Sequence, residues 1–170
     1  MGKTTAGKLL AERLGCDFVD LDQMMSDNTG KSVAELLAEL GEERFLDLET
    51  QALREATEPD EPRVIATGGS VVLSPEAREI LKDKTKPAWL EAPIETIAER
   101  VASSGRAPLI VGLDGGGDSS GASGEALMDR LNSIYEARRP LYEKVAYHYI
   151  DTELTSDIDE VVGILNDMYG

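Results

Sequence analysis

Length, composition and charge place this chain among globular proteins and exclude several other classes. Its 170 residues are 41% hydrophobic and carry a net charge of −16, so we expect one domain with a proper core and a surface that repels nucleic acid and anionic membranes. No apolar run approaches the ~18 residues of a membrane span. The single cysteine and the lack of a signal-peptide pattern indicate a reducing, cytoplasmic location without an internal disulfide.

The first residues of the chain match the end of a phosphate-binding loop. Gly2, Lys3, Thr4 and Thr5 fit the last part of the pattern G-x-x-x-x-G-K-[ST] and are the candidate ATP-binding residues. In such loops, backbone N–H groups at a helix N-terminus hold the phosphates, the lysine reaches the terminal phosphates and the hydroxyl binds Mg²⁺. An ordinary helix start is the alternative. The first half of the pattern and the strand that feeds it would precede Met1, so we expect that strand to be missing here and the natural protein to begin upstream.

Two aspartates lie at the carboxyl end of the first short strand that the sequence predicts. Residues 16–20 form this strand, so Asp20 and Asp22 lie at its carboxyl end, where ligands bind in open α/β sheets. Beside a phosphate loop, such a pair of carboxylates suits Mg²⁺ and a substrate hydroxyl. The alternative is a solvated strand end at which Asp22 caps the next helix.

Three helical segments are predicted next. A helix over residues 23–29 precedes Ser32 and Glu35, which form a capping box. The helix that this box opens ends at Gly41, and a further helix covers residues 42–56.

Paired glycines follow the second predicted strand. The apolar run at residues 63–67, bounded by turn residues, predicts a buried parallel strand. Gly68 and Gly69 come directly after it, and glycines at this place let the backbone approach a ligand closely. A plain glycine turn is the alternative. Ser74 and Pro75 then cap and start another helix.

A glycine-rich segment interrupts the alternation of strands and helices. It follows a strand at residues 86–90 and a helix that starts at Pro93 and ends near Ser103. Residues 104–124 hold many glycines and few apolar anchors, which is typical of a functional lid or a disordered segment. Arg106, near its start, is either a lid arginine over ATP or a solvated loop charge.

The last part of the chain restores the alternation. We predict a helix over residues 125–139, another helical stretch over 140–146, a strand over 147–151 and an amphipathic helix starting at Ser156. Strands that alternate with helices predict an α/β sandwich with a mainly parallel sheet. Since no linker or repeat is visible, we expect residues 1–170 to form a single domain.

In their order and spacing, these segments resemble the shikimate kinase family, small P-loop kinases of the nucleoside-monophosphate-kinase type. The likeness runs nearly end to end and implies a three-layer P-loop kinase fold. It also implies transfer of the ATP γ-phosphate to a ring hydroxyl of shikimate, in aromatic amino-acid biosynthesis. The segments that carry the resemblance are Gly2-Lys3-Thr4-Thr5, Phe18-Val19-Asp20-Leu21-Asp22, Val64-Ile65-Ala66-Thr67-Gly68-Gly69, Arg138-Arg139-Pro140-Leu141-Tyr142 and Asp151-Thr152.

The resemblance implies roles on the ATP side of the site. Lys3 would hold the β- and γ-phosphates, Thr4 would bind Mg²⁺, and Asp20 would support Mg²⁺ through water. Arg106 would be the lid arginine that stabilises charge on the transferring phosphate. The implied cofactors are ATP and Mg²⁺, and the lid would exclude water.

On the substrate side, the resemblance implies four further residues. Asp22 would bind the substrate hydroxyls and orient the nucleophile. Gly69, with Gly68 beside it, would offer a backbone N–H, and Arg138 would bind the substrate carboxylate. The expected partner is a small molecule, shikimate or a similar hydroxy acid, and we expect a monomer.

The sequence departs from the family in ways that leave alternatives open. The family has a substrate-binding arginine directly after Phe45, where this chain has Leu46, so one of two carboxylate anchors is absent. The third glycine of its glycine triplet is replaced by Ser70, which costs little unless the position needs a positive φ. The lid segment also differs. A same-fold kinase for another hydroxylated metabolite and a non-catalytic binding protein are the alternatives.

Overall fold

The structure, a computed structural model, describes residues 2–103, 124–152 and 157–170. The predicted lid with Arg106 lies outside this part of the chain, as does Ser156. No helix within it is both long enough and apolar enough to cross a membrane. Its elements are α1 (Lys3–Leu14), β1 (Asp17–Asp20), α2 (Leu21–Thr29), α3 (Val33–Ala56), β2 (Arg63–Ala66), a 3₁₀ turn (Val71–Leu73), α4 (Pro75–Lys84), β3 (Ala88–Glu91), α5 (Ile94–Ser103), α6 (Gly124–Val145), β4 (His148–Asp151) and α7 (Ile158–Tyr169).

The strands pair in parallel, as the alternating pattern predicts. β1 pairs with β2, with Phe18 opposite Val64, and β3 pairs with β4, with Trp89 opposite Tyr149. The four described strands form two separate two-stranded ladders. None of these strands pairs with both β2 and β3 to join the ladders. The predicted parallel pairing is therefore confirmed, but the ladders are not joined into one sheet.

Helices cover both faces of the strands, which gives the predicted three layers. Side chains alternate along a strand, and on β2 Val64 packs with α1 and α7 whereas Ile65 packs on the opposite side. The larger of the two cores joins α2, α3, the 3₁₀ turn, α4 and the end of α6, and includes Leu53 and Val145. The candidate site residues Asp20, Gly68 and Gly69 lie at the carboxyl ends of β1 and β2.

The start of α2 differs from the predicted one. The helix begins at Leu21, because Asp20 is its N-cap: Asp20 Oδ1 accepts hydrogen bonds from the backbone N–H groups of Asp22, at 3.0 Å, and Gln23, at 3.4 Å. The alternative in which Asp22 caps this helix is therefore wrong. The N-cap position of α2 is therefore filled by Asp20.

The two long helices α3 and α6 show where the predicted helix boundaries hold and where they do not. The predicted break at Gly41 is present inside α3, where φ is 77° and ψ is 171°, so two helical segments meet without a loop. By contrast, α6 continues through Pro140, where we predicted two separate stretches. A proline removes one backbone hydrogen bond, and buried side chains on both sides, Leu131 and Val145, keep this helix packed on the protein.

Replacing Gly41 with alanine tests the bend in α3. The backbone at Gly41 lies in a region that only glycine occupies readily, so the substitution is expected to lower the free energy of unfolding by about 1–3 kcal/mol. Gly163→Ala is the matched control: Gly163 lies within α7 without a positive φ, and its alanine variant is expected to be more stable by about 0.5–1 kcal/mol. Urea denaturation measures both. Equal stabilities of Gly41→Ala and the wild type would contradict the bend.

Candidate active site

The candidate phosphate site lies where the start of α1 meets the end of β1. Gly2 caps α1 with a φ of 108°. The Thr4 hydroxyl donates a 2.6 Å hydrogen bond to Asp20 Oδ2, while the other oxygen of Asp20 caps α2. The structure thus brings Thr4 and Asp20 together, and their oxygens are of the kind that Mg²⁺ prefers.

No cluster of three or more His, Cys, Asp or Glu side chains suited to a metal occurs in the described part of the chain. Mg²⁺ in proteins is commonly held by one or two protein oxygens together with waters and substrate phosphates. The pair of Thr4 and Asp20 fits this mode, in which phosphate oxygens complete the coordination.

Polar groups from several elements converge on the carboxyl group of Glu49, which lies on α3, and this cluster is called the pocket. The residue is 1% exposed. Its Oε2 accepts a 2.9 Å hydrogen bond from the Ser70 hydroxyl, whereas its buried Oε1 has no hydrogen-bond partner among the described residues. A Cβ on Gly68 would lie 2.3 Å from this Oε1 and 3.6 Å from Asp22 Oδ1. Gly68 therefore allows two carboxylates to converge on the backbone after β2.

Residues from α6 lie next to the second glycine, Gly69. A Cβ on Gly69 would lie 3.1 Å from the Tyr142 hydroxyl and 3.5 Å from Arg138 Nη1. The Tyr142 hydroxyl donates a 2.6 Å hydrogen bond to the Gly69 carbonyl oxygen, and its ring stacks on Trp89 with 5.5 Å between ring centroids. Arg138 lies on the same helix as Tyr142, and its guanidinium group is beside the glycine backbone.

Burial dominates the electrostatics of this pocket. It raises the pKa of Glu49 from 4.5 to about 7, and the charge of Asp22 adds to the rise. The Ser70 hydrogen bond and the charges of Arg138 and Lys3 act in the opposite direction. Since the charge of Lys3 reaches Glu49, the phosphate site and this pocket are adjacent.

The structure brings together most of the residues that the sequence singled out. Lys3, Asp22, Gly68, Gly69 and Arg138 all surround Glu49 or the glycine backbone next to it. The Thr4–Asp20 pair belongs to the neighbouring phosphate site, and Thr5 follows it as an exposed residue of α1. The individual roles of these residues stay predictions.

Glu49 and Tyr142 contribute to the pocket, although neither was predicted from the sequence to have a role. A signal for Glu49 was present: it lies four residues after Phe45 and four before Leu53, both of which are buried. A charged residue in the middle of such an apolar helical stripe is expected to have a specific partner or function. No comparable signal in the sequence marks Tyr142, because the residue that it contacts, Gly69, lies 73 residues away in the chain.

A separate cavity of about 220 Å³ lies at the carboxyl ends of β3 and β4 and contains none of the predicted site residues. Glu91 accepts hydrogen bonds there from the hydroxyls of Tyr135 and Tyr149. Burial and the bond to Glu91 raise the pKa of Tyr135. The lining residues are Glu91, Ala92, Pro93, Ile94, Tyr135 and Asp151.

Replacing Glu49 with glutamine tests the protonation of this carboxyl group. Because its pKa is higher in the folded protein than the ordinary 4.5, Glu49 stabilises the fold most at low pH and loses this contribution as the pH rises towards 7. The stability of the wild type relative to Glu49→Gln is therefore expected to fall by about 3 kcal/mol between pH 4.5 and 8. Urea denaturation across this range measures the difference. Glu43→Gln, at an exposed position of α3, is the control substitution.

Known families and curated proteins resemble this chain over nearly its whole length. The family model described as shikimate kinase matches residues 1–168. Shikimate kinase from Symbiobacterium thermophilum is 39% identical over 166 residues, which cover 96% of this chain and 88% of that protein. Shikimate kinase from Nitratidesulfovibrio vulgaris is 34% identical over 169 residues, with 96% and 89% covered.

Solved structures agree with these relatives. Shikimate kinase from Bacteroides thetaiotaomicron superimposes with a TM-score of 0.82 at 28% identity, covering 99% of this chain and 92% of the other. Shikimate kinase from Acinetobacter baumannii, in complex with shikimate, gives a TM-score of 0.81 at 29% identity, with 99% and 87% covered. The fold, the family model and the relatives lead to one conclusion: this chain belongs to the shikimate kinase family.

Proposed function

We propose that this chain transfers the γ-phosphoryl group of ATP to a hydroxyl of shikimate. The observation that carries the proposal is the convergence of Asp22, the Gly68–Gly69 backbone and Arg138 beside Lys3. A hydroxylated carboxylic acid presents the complementary groups, because its carboxylate pairs with a guanidinium and its hydroxyls pair with a carboxylate. The relative from Acinetobacter baumannii, solved with shikimate, supports this choice of substrate.

Arg138 would hold the substrate carboxylate in this proposal. Its guanidinium is placed by α6 next to Gly69, and Tyr142 fixes the same stretch of backbone through the Gly69 carbonyl oxygen. The Gly69 N–H would add a neutral donor to the same substrate. Fixing the substrate in this way lowers the entropy cost of reaching the in-line geometry that phosphoryl transfer requires.

Asp22 would orient the attacking hydroxyl. As the substrate oxygen forms its bond to the γ-phosphorus, the bond from that phosphorus to the oxygen bridging to the β-phosphate breaks and ADP leaves with the electron pair. The proton of the substrate hydroxyl passes to the Asp22 carboxylate. Asp22 can serve because the helix cap next to it is supplied by Asp20.

The ATP side would be held by the start of α1. Lys3 would contact the β- and γ-phosphates, with Gly2 and Thr5 completing this part of the site, and Mg²⁺ would neutralise the phosphate charge next to Thr4 and Asp20. Arg106 keeps its predicted role as the lid arginine. The monomeric state, the cytoplasmic location and the single-domain organisation likewise stay predictions from the sequence.

Leu46 favours a second candidate, a same-fold kinase that acts on another hydroxylated metabolite. The residue is half-buried on α3, three positions before Glu49 and therefore on the same side of the helix. An apolar side chain at this place gives no second anchor for the carboxylate of shikimate. A substrate that needs only one cationic contact would be held by Arg138 without a second arginine.

The decisive assay is ADP release from ATP and Mg²⁺ in the presence of shikimate. The wild type is expected to turn over, and Asp22→Asn is expected to lower kcat by about 10²–10⁴-fold, because it removes the carboxylate that accepts the proton. Asp17→Asn is the matched control, since Asp17 is exposed at the other end of β1. No shikimate-dependent ADP release by the wild type, or full activity of Asp22→Asn, would contradict the proposal.

Replacing Leu46 with arginine distinguishes the two substrates. A new guanidinium at this position supplies a charge-assisted hydrogen bond, so the KM for shikimate is expected to fall by roughly 10-fold or more. Gln51→Arg adds the same single positive charge at an exposed position of the same helix and should leave the KM nearly unchanged. An unchanged KM in Leu46→Arg would count against shikimate and for the other hydroxylated metabolite.

A further inference from the structure

We propose that Ser70 is a positioning residue for the pocket: its hydroxyl orients the Glu49 carboxyl group and, through it, makes the affinity for an anionic substrate depend on one proton. The inference rests on the proposed function for its substrate. The contact that carries it is the 2.9 Å hydrogen bond from Ser70 Oγ to Glu49 Oε2. This bond leaves Oε1 directed towards Gly68 and Asp22, where no described group pairs with it.

The backbone at Ser70 accepts a side chain without strain. Its φ of −81° and ψ of −18° are ordinary right-handed values, and its carbonyl oxygen accepts a 2.8 Å hydrogen bond from the Leu73 N–H in the 3₁₀ turn. A glycine is therefore not required at this position. The hydroxyl instead links the loop after β2 to α3, the helix that carries Glu49.

Four elements supply the groups that face Glu49. Lys3 comes from α1, Asp22 from α2, Ser70 from the loop after β2 and Arg138 from α6. The hydroxyl of Thr50, the next residue on the same helix, donates instead to the Leu46 carbonyl oxygen and to the Ser74 hydroxyl. Ser70 is thus the neutral donor that favours the ionised carboxylate in this pocket.

One proton on Glu49 changes how strongly Arg138 can bind an anion. With Glu49 neutral, no negative charge on Glu49 competes with a substrate carboxylate for Arg138, whose side chain also hydrogen-bonds to Tyr142. With Glu49 ionised, its charge competes for Arg138 and repels the same carboxylate. Burial places this change of charge near neutral pH, so affinity for shikimate falls as the pH rises from 6 to 8.

Titration of the ligand-free protein tests the inference without any substrate. In ¹³C-glutamate-labelled protein, the Glu49 carboxyl resonance is identified by its absence in Glu49→Gln. Its midpoint is expected near 7 in the wild type and about one pH unit higher in Ser70→Ala, because the hydrogen bond to the ionised form is lost. Ser74→Ala is the matched control, since Ser74 caps α4 and bonds Thr50 instead of Glu49. A wild-type midpoint near 4.5, or equal midpoints in wild type and Ser70→Ala, would overturn the inference.

The KM for shikimate supplies the functional test. Between pH 6 and 8 it is expected to rise about tenfold in the wild type, to rise at a pH about one unit higher in Ser70→Ala, and to stay flat in Glu49→Gln. A flat wild-type profile, or affinity that improves with pH, would overturn the inference. Failure of shikimate-dependent turnover at every pH would instead overturn the proposed function, and the carboxyl midpoints would still decide the role of Ser70.

Discussion

The pocket of this protein depends on a carboxyl group buried against a glycine. Glu49 is 1% exposed, and its Oε1 lies where a side chain on Gly68 would have to be placed. Burying a carboxylate costs free energy unless it is hydrogen-bonded and compensated by opposite charge. Here the compensation comes from Ser70, Arg138 and Lys3. These three residues come from the loop after β2, the middle of α6 and the start of α1, so these elements meet around Glu49.

The fold positions these groups through ordinary helix and strand physics. Parallel strands direct their carboxyl ends to one edge, so Asp20 at the end of β1 and the glycines after β2 become neighbours. Asp20 caps α2 and binds Thr4, while the charge of Asp22 acts on Glu49 in the pocket. The bend at Gly41 divides α3, and its second half packs Phe45 and Leu53 in the core while Glu49, on the same stripe, faces the site.

Local chemistry in the sequence was enough to predict much of this arrangement. Short-range rules are enough to predict the α/β pattern, the capping box and the Gly41 break. Local signatures likewise identify the phosphate-loop residues at the start of α1, Asp22 and the paired glycines. The roles of Tyr142 and Glu49 were not predicted, because each depends on a distant contact: Tyr142 bonds to Gly69 across 73 residues, and Glu49 accepts a bond from Ser70 across 21. Propensity likewise placed a helix boundary at Pro140, whereas tertiary packing carries α6 through it.

We propose that the substrate binds at the pocket around Glu49, between the glycine backbone and α6. Chemical-shift mapping of the labelled protein with shikimate, in the presence of ADP and Mg²⁺, tests this most directly. We predict saturable shifts of the Gly68 and Gly69 amides and of the Arg138 guanidinium. Shifts confined to the separate cavity at the ends of β3 and β4, around Ile94 and Tyr135, with the two glycine amides unmoved, would contradict the account.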